Sequence, residues 1–318
     1  MKMLPLLLGA SPITALTATQ LFQFPNTSQF VENIAVRSNG HLLLDTFDHG
    51  RLYTLDPTAK KPIPRVVAQV PESTGLTGIA EVAHDLYAVS AGILNLTDDS
   101  FEAGTSKVAL VDLRDCHDGK LASVRVIAEV ADAGILNGMA SLQKHKHIIL
   151  SVDSKTGRVY RVNTRNGKVD IAFQDDRLKP GPGPVLVPLG INGVKIFKGY
   201  LYLTNSQQRF VGRIKIDDFG DKTGDLEIIT TLPLNPPKVP DDFSIAKDGT
   251  IYLGAHVDTL VKITPNGQWT ALVEGSSAGF YLDGPTSTAL SKDEKTVYVT
   301  TSGGGQTGKG GQIVAVHL

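Results

Sequence analysis

Short apolar-rich runs separated by turn residues recur along the chain. Residues 240–254 show the unit most plainly: a strand, the turn Lys247-Asp248-Gly249, and a second strand. Asp-Gly supplies the positive φ angles of a tight hairpin. An acidic pair, Asp241-Asp242, stands just before the first strand. Related stretches follow Glu32, Thr77, Asn137, Asn192 and Asp283, and the six markers are spaced 45, 60, 55, 49 and 42 residues apart. Strand-turn-strand units at this period predict a propeller. One unit cannot bury both faces of its sheet, so the units must stack around an axis. Six markers predict an all-β, six-bladed β-propeller.

The predicted innermost strands cover 33–37, 78–82, 138–142, 193–197, 242–246 and 285–290. Blade 6 continues through 296–301 and 311–317, where the chain ends without a fourth strand. Leu21-Phe22-Gln23-Phe24 has the shape of the outer strands elsewhere. Its pairing with 311–317 would close the ring and cover an open sheet edge. Residues 91–105, between the second and third strands of blade 2, are too long for a plain hairpin, which places them on a functional rim.

Composition narrows the classes. A net charge of −1 gives no reason to expect nucleic acid or an anionic membrane. The single Cys116 excludes an intramolecular disulfide and a cysteine-based metal cluster. Thirty-two glycines and 17 prolines fit a chain of many turns. Residues 1–18 read as a secretory signal: Lys2, an apolar run from Leu4 to Ala10, and small residues at Ala15 and Ala18. The domain is then 19–318. Sequons at Asn26-Thr27-Ser28 and Asn95-Leu96-Thr97 agree with the secretory pathway or an extracellular location. No run reaches the ~18–20 apolar residues of a membrane span.

Residues just before the innermost strands, and those ending the second strands, face one mouth of a propeller channel, a favoured place for ligands. The first set is Glu32, Thr77, Asn137, Asn192, Asp241 and Asp283; the second includes Phe47, Asn205, His256 and Ser302. Phe47, Phe243, Met139 and Tyr281 are the expected apolar wall. Thr77, Asn205, Asp283 and Ser302 complete the substrate-binding set. Glu32, Asp241 and His256 are the candidates for proton transfer. Asn-Gly and Asp-Asp at these positions also read as plain turn chemistry. The glycine-rich 303–310 imitates a phosphate loop but lacks a hydroxyl residue after Lys309 and a following helix. No Gly-x-Ser-x-Gly turn is present, which argues against an ordinary serine hydrolase.

These strands resemble the senescence marker protein/gluconolactonase/strictosidine-synthase superfamily of six-bladed propellers, over residues 20–318. The resemblance implies that Glu32, Asn137, Asn192 and Asp241 hold one divalent cation. Four oxygen ligands suit Ca²⁺ or Mg²⁺. The chain departs from the lactonases in having Glu32-Asn33-Ile34 for Glu-Gly-Pro, Pro240-Asp241-Asp242 for Pro-Asp-Gly, and no match to their basic substrate clamps. In length and layout it resembles the hetero-Diels–Alderases of tropolone-sesquiterpene biosynthesis. That resemblance implies small apolar substrates: dehydration to a tropolone quinone methide, then cycloaddition with a humulene-type alkene, with no cofactor required. The alternatives are a metal-dependent lactonase and a binding propeller without catalysis.

Overall fold

The computed structural model describes residues 16–95, 97, 100–116, 119–182, 187–277 and 279–318. The expected leader lies outside these residues except for its last three, and Leu96 of the second sequon also lies outside. Six antiparallel four-stranded sheets follow one another along the chain. Their innermost strands are Val31–Val36, Gly75–Ala83, Leu136–Ser141, Ile191–Phe197, Val239–Ile245 and Pro285–Leu290. Each touches the next, and the sixth touches the first, so the strands close a ring around a central channel. The described residues contain one short 3₁₀ turn, Asp176–Leu178, and no helix long and apolar enough to cross a membrane.

The core is divided among the blade interfaces. Six apolar clusters each join two neighbouring blades, from Leu43 and Val89 between blades 1 and 2 to Leu42 and Ile313 between blades 6 and 1. A sheet with two apolar faces cannot be stable alone, so each blade depends on its neighbours.

The ring closes through the N-terminal strand, and the strand is longer than the sequence reading expected. Thr17–Gln23 pairs antiparallel with Gln312–His317, Thr17 standing opposite His317. Ala18 is buried in the cluster between blades 5 and 6, so the expected 18/19 boundary falls inside this strand. Phe24 lies just beyond it and exchanges backbone hydrogen bonds with Gly310 and Gly311, both at 2.9 Å.

Every innermost strand is interrupted at the same register. The ladder to the second strand skips between Val31 and Asn33, Leu76 and Ile79, Leu136 and Met139, Ile191 and Val194, Pro240 and Phe243, and Pro285 and Ser287. Such bulges release residues from the ladder and re-aim their side chains. The released positions carry Glu32, Thr77, Asn137, Asn192, Asp241 and Thr286. The sixth member is therefore Thr286; Asp283, expected from the sequence, precedes the strand. The glycines after Thr77, Asn137 and Asn192 have ordinary φ angles, so these pairs are not turns. A Cβ on Gly78 or Gly138 would collide with the backbone oxygen of Asn137 or Asn192, and one on Gly193 with Asp242. Close approach of neighbouring strands, rather than turn geometry, requires glycine there. Gly249, in the Asp-Gly hairpin, does take the expected positive φ of 95°.

Candidate active site

At one mouth of the channel the released side chains surround a cavity of about 190 Å³. Its floor is Glu32, Thr77, Asn137, Asn192, Asp241 and His256, with Ser206 at its edge; its walls are Phe30, Phe47, Leu94, Asn95, Ile135, Val187, Leu189 and Val239. Phe30 and Phe47 stack with ring centres 4.4 Å apart and planes 12° from parallel. A backbone hydrogen bond from Phe47 N to Phe30 O, 3.0 Å, holds the pair together. The long segment of blade 2 contributes Leu94 and Asn95, so it does sit on this rim.

The floor's electrostatics follow from crowded, buried acids. Glu32 is held well above the usual carboxylate range, first by burial and then by repulsion from Asp241, Asp242 and Asp45; Lys195 opposes this. Burial also raises Asp241, against the pull of His256, whose Nε2 lies 2.9 Å from Asp241 Oδ2. Three buried oxygens on the floor have no hydrogen-bond partner: Glu32 Oε2, Asn137 Oδ1 and Asn192 Oδ1. Buried polar atoms are rarely left so unless something outside the protein meets them. Together with the Asp241 carboxylate they form an oxygen-only donor set that fits a hard divalent cation. Among the described residues no group of three His, Cys, Asp or Glu side chains is placed to bind a metal, so such a cation would need the two amide oxygens.

Beneath the floor the channel is sealed. Asp242 is buried and accepts from Lys195 Nζ at 2.6 and 2.7 Å and from Asn33 Nδ2 at 2.9 Å. Ser287 donates to Asn33 Oδ1 at 2.9 Å. Lys195 also lines a depression of about 490 Å³ at the far mouth.

Glu32, Phe47, Thr77, Asn137, Asn192, Asp241 and His256 thus meet in one cavity, while other expected members are elsewhere. Phe243 is fully buried between blades 4 and 5, because it follows the bulge and points into the interface. Met139 is buried between blades 2 and 3 and borders the far mouth. Asn205 holds the segment leading into blade 4, donating to Lys179 O at 3.1 Å and accepting from Gln208 N at 2.9 Å. Tyr281, in a small hairpin, donates to Asp258 at 3.2 Å. Ser302 donates to Gly303 O at 3.2 Å. Asp283 receives the backbone N–H groups of Gln306 and Thr307 at 3.1 and 3.0 Å. The glycine-rich loop does form a nest for an anion, and the anion is the protein's own Asp283. Phe30, Ile135 and Val239 were not foreseen, although each stands two residues before a floor residue, a spacing the repeat could have shown.

No protein-family model matches the chain. A protein of Sarocladium schorii named as a hetero-Diels-Alderase is 24% identical over 302 residues, 87% of this chain and 75% of that protein. One of Phoma sp. with the same name is 26% identical over 313 residues, 88% of this chain and 85% of that protein. Among solved structures, a calcium-binding regucalcin of Agrobacterium tumefaciens aligns at TM-score 0.65 and 13% identity, over 95% of this chain and 93% of its own. A protein named as a gluconolactonase aligns at TM-score 0.61 and 13% identity, over 96% of this chain and 92% of its own. The chain is a six-bladed β-propeller of the fold shared by gluconolactonase and regucalcin, and its sequence relatives carry the name hetero-Diels-Alderase.

Proposed function

We propose that this protein is an enzyme that dehydrates a hydroxymethyl tropolone to a quinone methide and joins it to a humulene-type alkene by hetero-Diels–Alder cycloaddition. The observation that carries the reading is the cavity, with apolar walls around an acid-bearing floor, in a chain whose relatives over most of its length bear that name. Burial keeps the Glu32 carboxyl protonated far above the usual range, which makes it the acid. Its proton goes to the departing hydroxyl as the C–O bond breaks. The Asp241–His256 pair takes the ring hydroxyl proton, leaving water and a neutral quinone methide. Cycloaddition then forms one C–C and one C–O bond with no net proton transfer. Here the protein supplies position, which can account for ~7–11 kcal/mol of a barrier. The Phe30–Phe47 plate seats the planar diene, and Leu94, Ile135, Val187, Leu189 and Val239 seat the alkene.

Purified protein given precursor and humulene should form product faster than a protein-free control and with one stereochemistry. Glu32→Gln should slow dehydration by about 10²-fold yet spare cycloaddition of a pre-formed quinone methide. Equal rates and product ratios with and without protein would reject the reading.

The three unpartnered oxygens favour a second reading, a metal-dependent lactonase. Glu32, Asn137, Asn192 and Asp241 would hold Ca²⁺ or Mg²⁺, which when bound would polarise a substrate carbonyl. The two readings require opposite states of Glu32, protonated in the first and ionised in the second. Added Ca²⁺ should slow the dehydration, whereas it should switch on lactone hydrolysis if the second reading holds.

A further inference from the structure

Ser206 touches two members of the floor at once. It follows the second strand of blade 4, Tyr200–Asn205, and is 1% exposed. Its hydroxyl donates to the backbone oxygen of Pro240, the residue before Asp241, at 2.8 Å. With its one proton engaged there, the Ser206 oxygen can only accept, and it accepts from Asn192 Nδ2 at 2.9 Å. A side-chain amide has a donor end and an acceptor end. Fixing Nδ2 on Ser206 leaves Oδ1 as the end without a protein partner, and Asn192 lies on the cavity floor. Turned over, Asn192 would present N–H groups there, which repel a cation. Ser154 stands at the matching place in blade 3 and donates to Ile191 O, the residue before Asn192, at 2.6 Å. Each serine therefore ties the end of its own second strand to the approach of the next floor residue. Ser206 adds to this the orientation of the amide, whose donor end also faces the Asp241 carboxylate.

We propose that Ser206 is a positioning residue: it sets the Asn192 amide with its oxygen toward the cavity and so allows the floor to bind a hard divalent cation. This rests on the reading of the floor as a cation site, and its test separates the two. Calorimetric titration of the full chain with Ca²⁺ should show binding by the wild type. Ser206→Ala should weaken it about 10-fold or more, the usual scale for a partner that orients a ligand, together with a moderate fall in melting temperature from the two buried hydrogen bonds lost. Ser206→Thr keeps the hydroxyl and should keep the affinity. Asn192→Asp has no donor end to misplace, so adding Ser206→Ala in that background should change affinity by less than about twofold. Equal affinity of wild type and Ser206→Ala would overturn the positioning role alone. Equal losses in both backgrounds would also overturn it, by showing a general packing effect. A wild type that binds no Ca²⁺ would overturn the role together with the cation reading.

Discussion

Glu32 and Asn33 are neighbours in the chain, as are Asp241 and Asp242, yet the two layers they form differ in kind. In the upper layer Glu32, Asn137 and Asn192 each leave an oxygen buried and unmet. One residue lower, Asn33, Asp242 and Ser287 satisfy one another, with Lys195 joining them from the far mouth. The ring itself repeats the contrast. Thr286 donates to Val31 O at 2.7 Å and Thr77 to Leu136 O at 2.5 Å, so two of its six members stitch blades together. Bulge geometry alone therefore does not make a site. The chemistry lies where the fold releases an oxygen and supplies no donor for it.

The contrast can be broken most forcefully from below. Asp242→Ala leaves the Lys195 ammonium to the water of the far mouth and strands the buried Asn33 amide, which should cost roughly 2–3 kcal/mol. A large fall in the denaturant midpoint is expected, and an unchanged midpoint would show that the lower layer is no brace.

A smaller, pH-dependent effect is expected at Asp45. This residue is fully buried with neither oxygen partnered, and burial holds its carboxyl well above the usual range. In blade 4 the same register carries Thr204, whose hydroxyl donates to Asp241 O at 2.6 Å. A protonated carboxyl at Asp45 has an O–H to offer at this register, where an ionised one has none. Because the folded state favours the proton, its contribution is fully present below the unfolded value, about 3.9, and is lost as pH rises through the folded value. Asp45→Thr should remove that loss, so its stability advantage over wild type should widen from acid to neutral pH. An advantage that narrows with rising pH would contradict this.

The smallest effect is the control. Thr286→Val removes two hydrogen bonds, to Val31 O at 2.7 Å and with Thr300 Oγ1 at 3.1 Å, and should cost about 1–2 kcal/mol in urea melts while turnover stays within about twofold. A large loss of turnover would place Thr286 with the released oxygens after all.

The sequence made the upper layer legible because the repeat carries Glu32, Asn137, Asn192 and Asp241 to one register, and period survives in a string of letters. It failed at Asp283 and Phe243 for one physical reason. A bulge changes which residues alternate inward, and nothing local marks where the alternation slips. Phe243 reads as a channel residue if the strand is regular and as an interface residue if two residues before it are released. His256 was legible because it ends a second strand, where register needs no bulge. The aliphatic walls from Val187 and Leu189 were not, since they lie in a segment without periodicity.

The closing strand also dictates when the protein can finish folding. Gln20 and Gln312, joined by a side-chain hydrogen bond, are 292 residues apart in sequence. Blades 1 to 5 are each built from one contiguous stretch of chain and can assemble in the order of synthesis. Thr17–Gln23 emerges before these blades but has no partner until Gln312–His317 has been made. Contacts of such high sequence separation are slow to form. This N-terminal strand is thus paired only after strands made much later, and every copy passes through a state in which the outer edge of Gln312–His317 is unpaired.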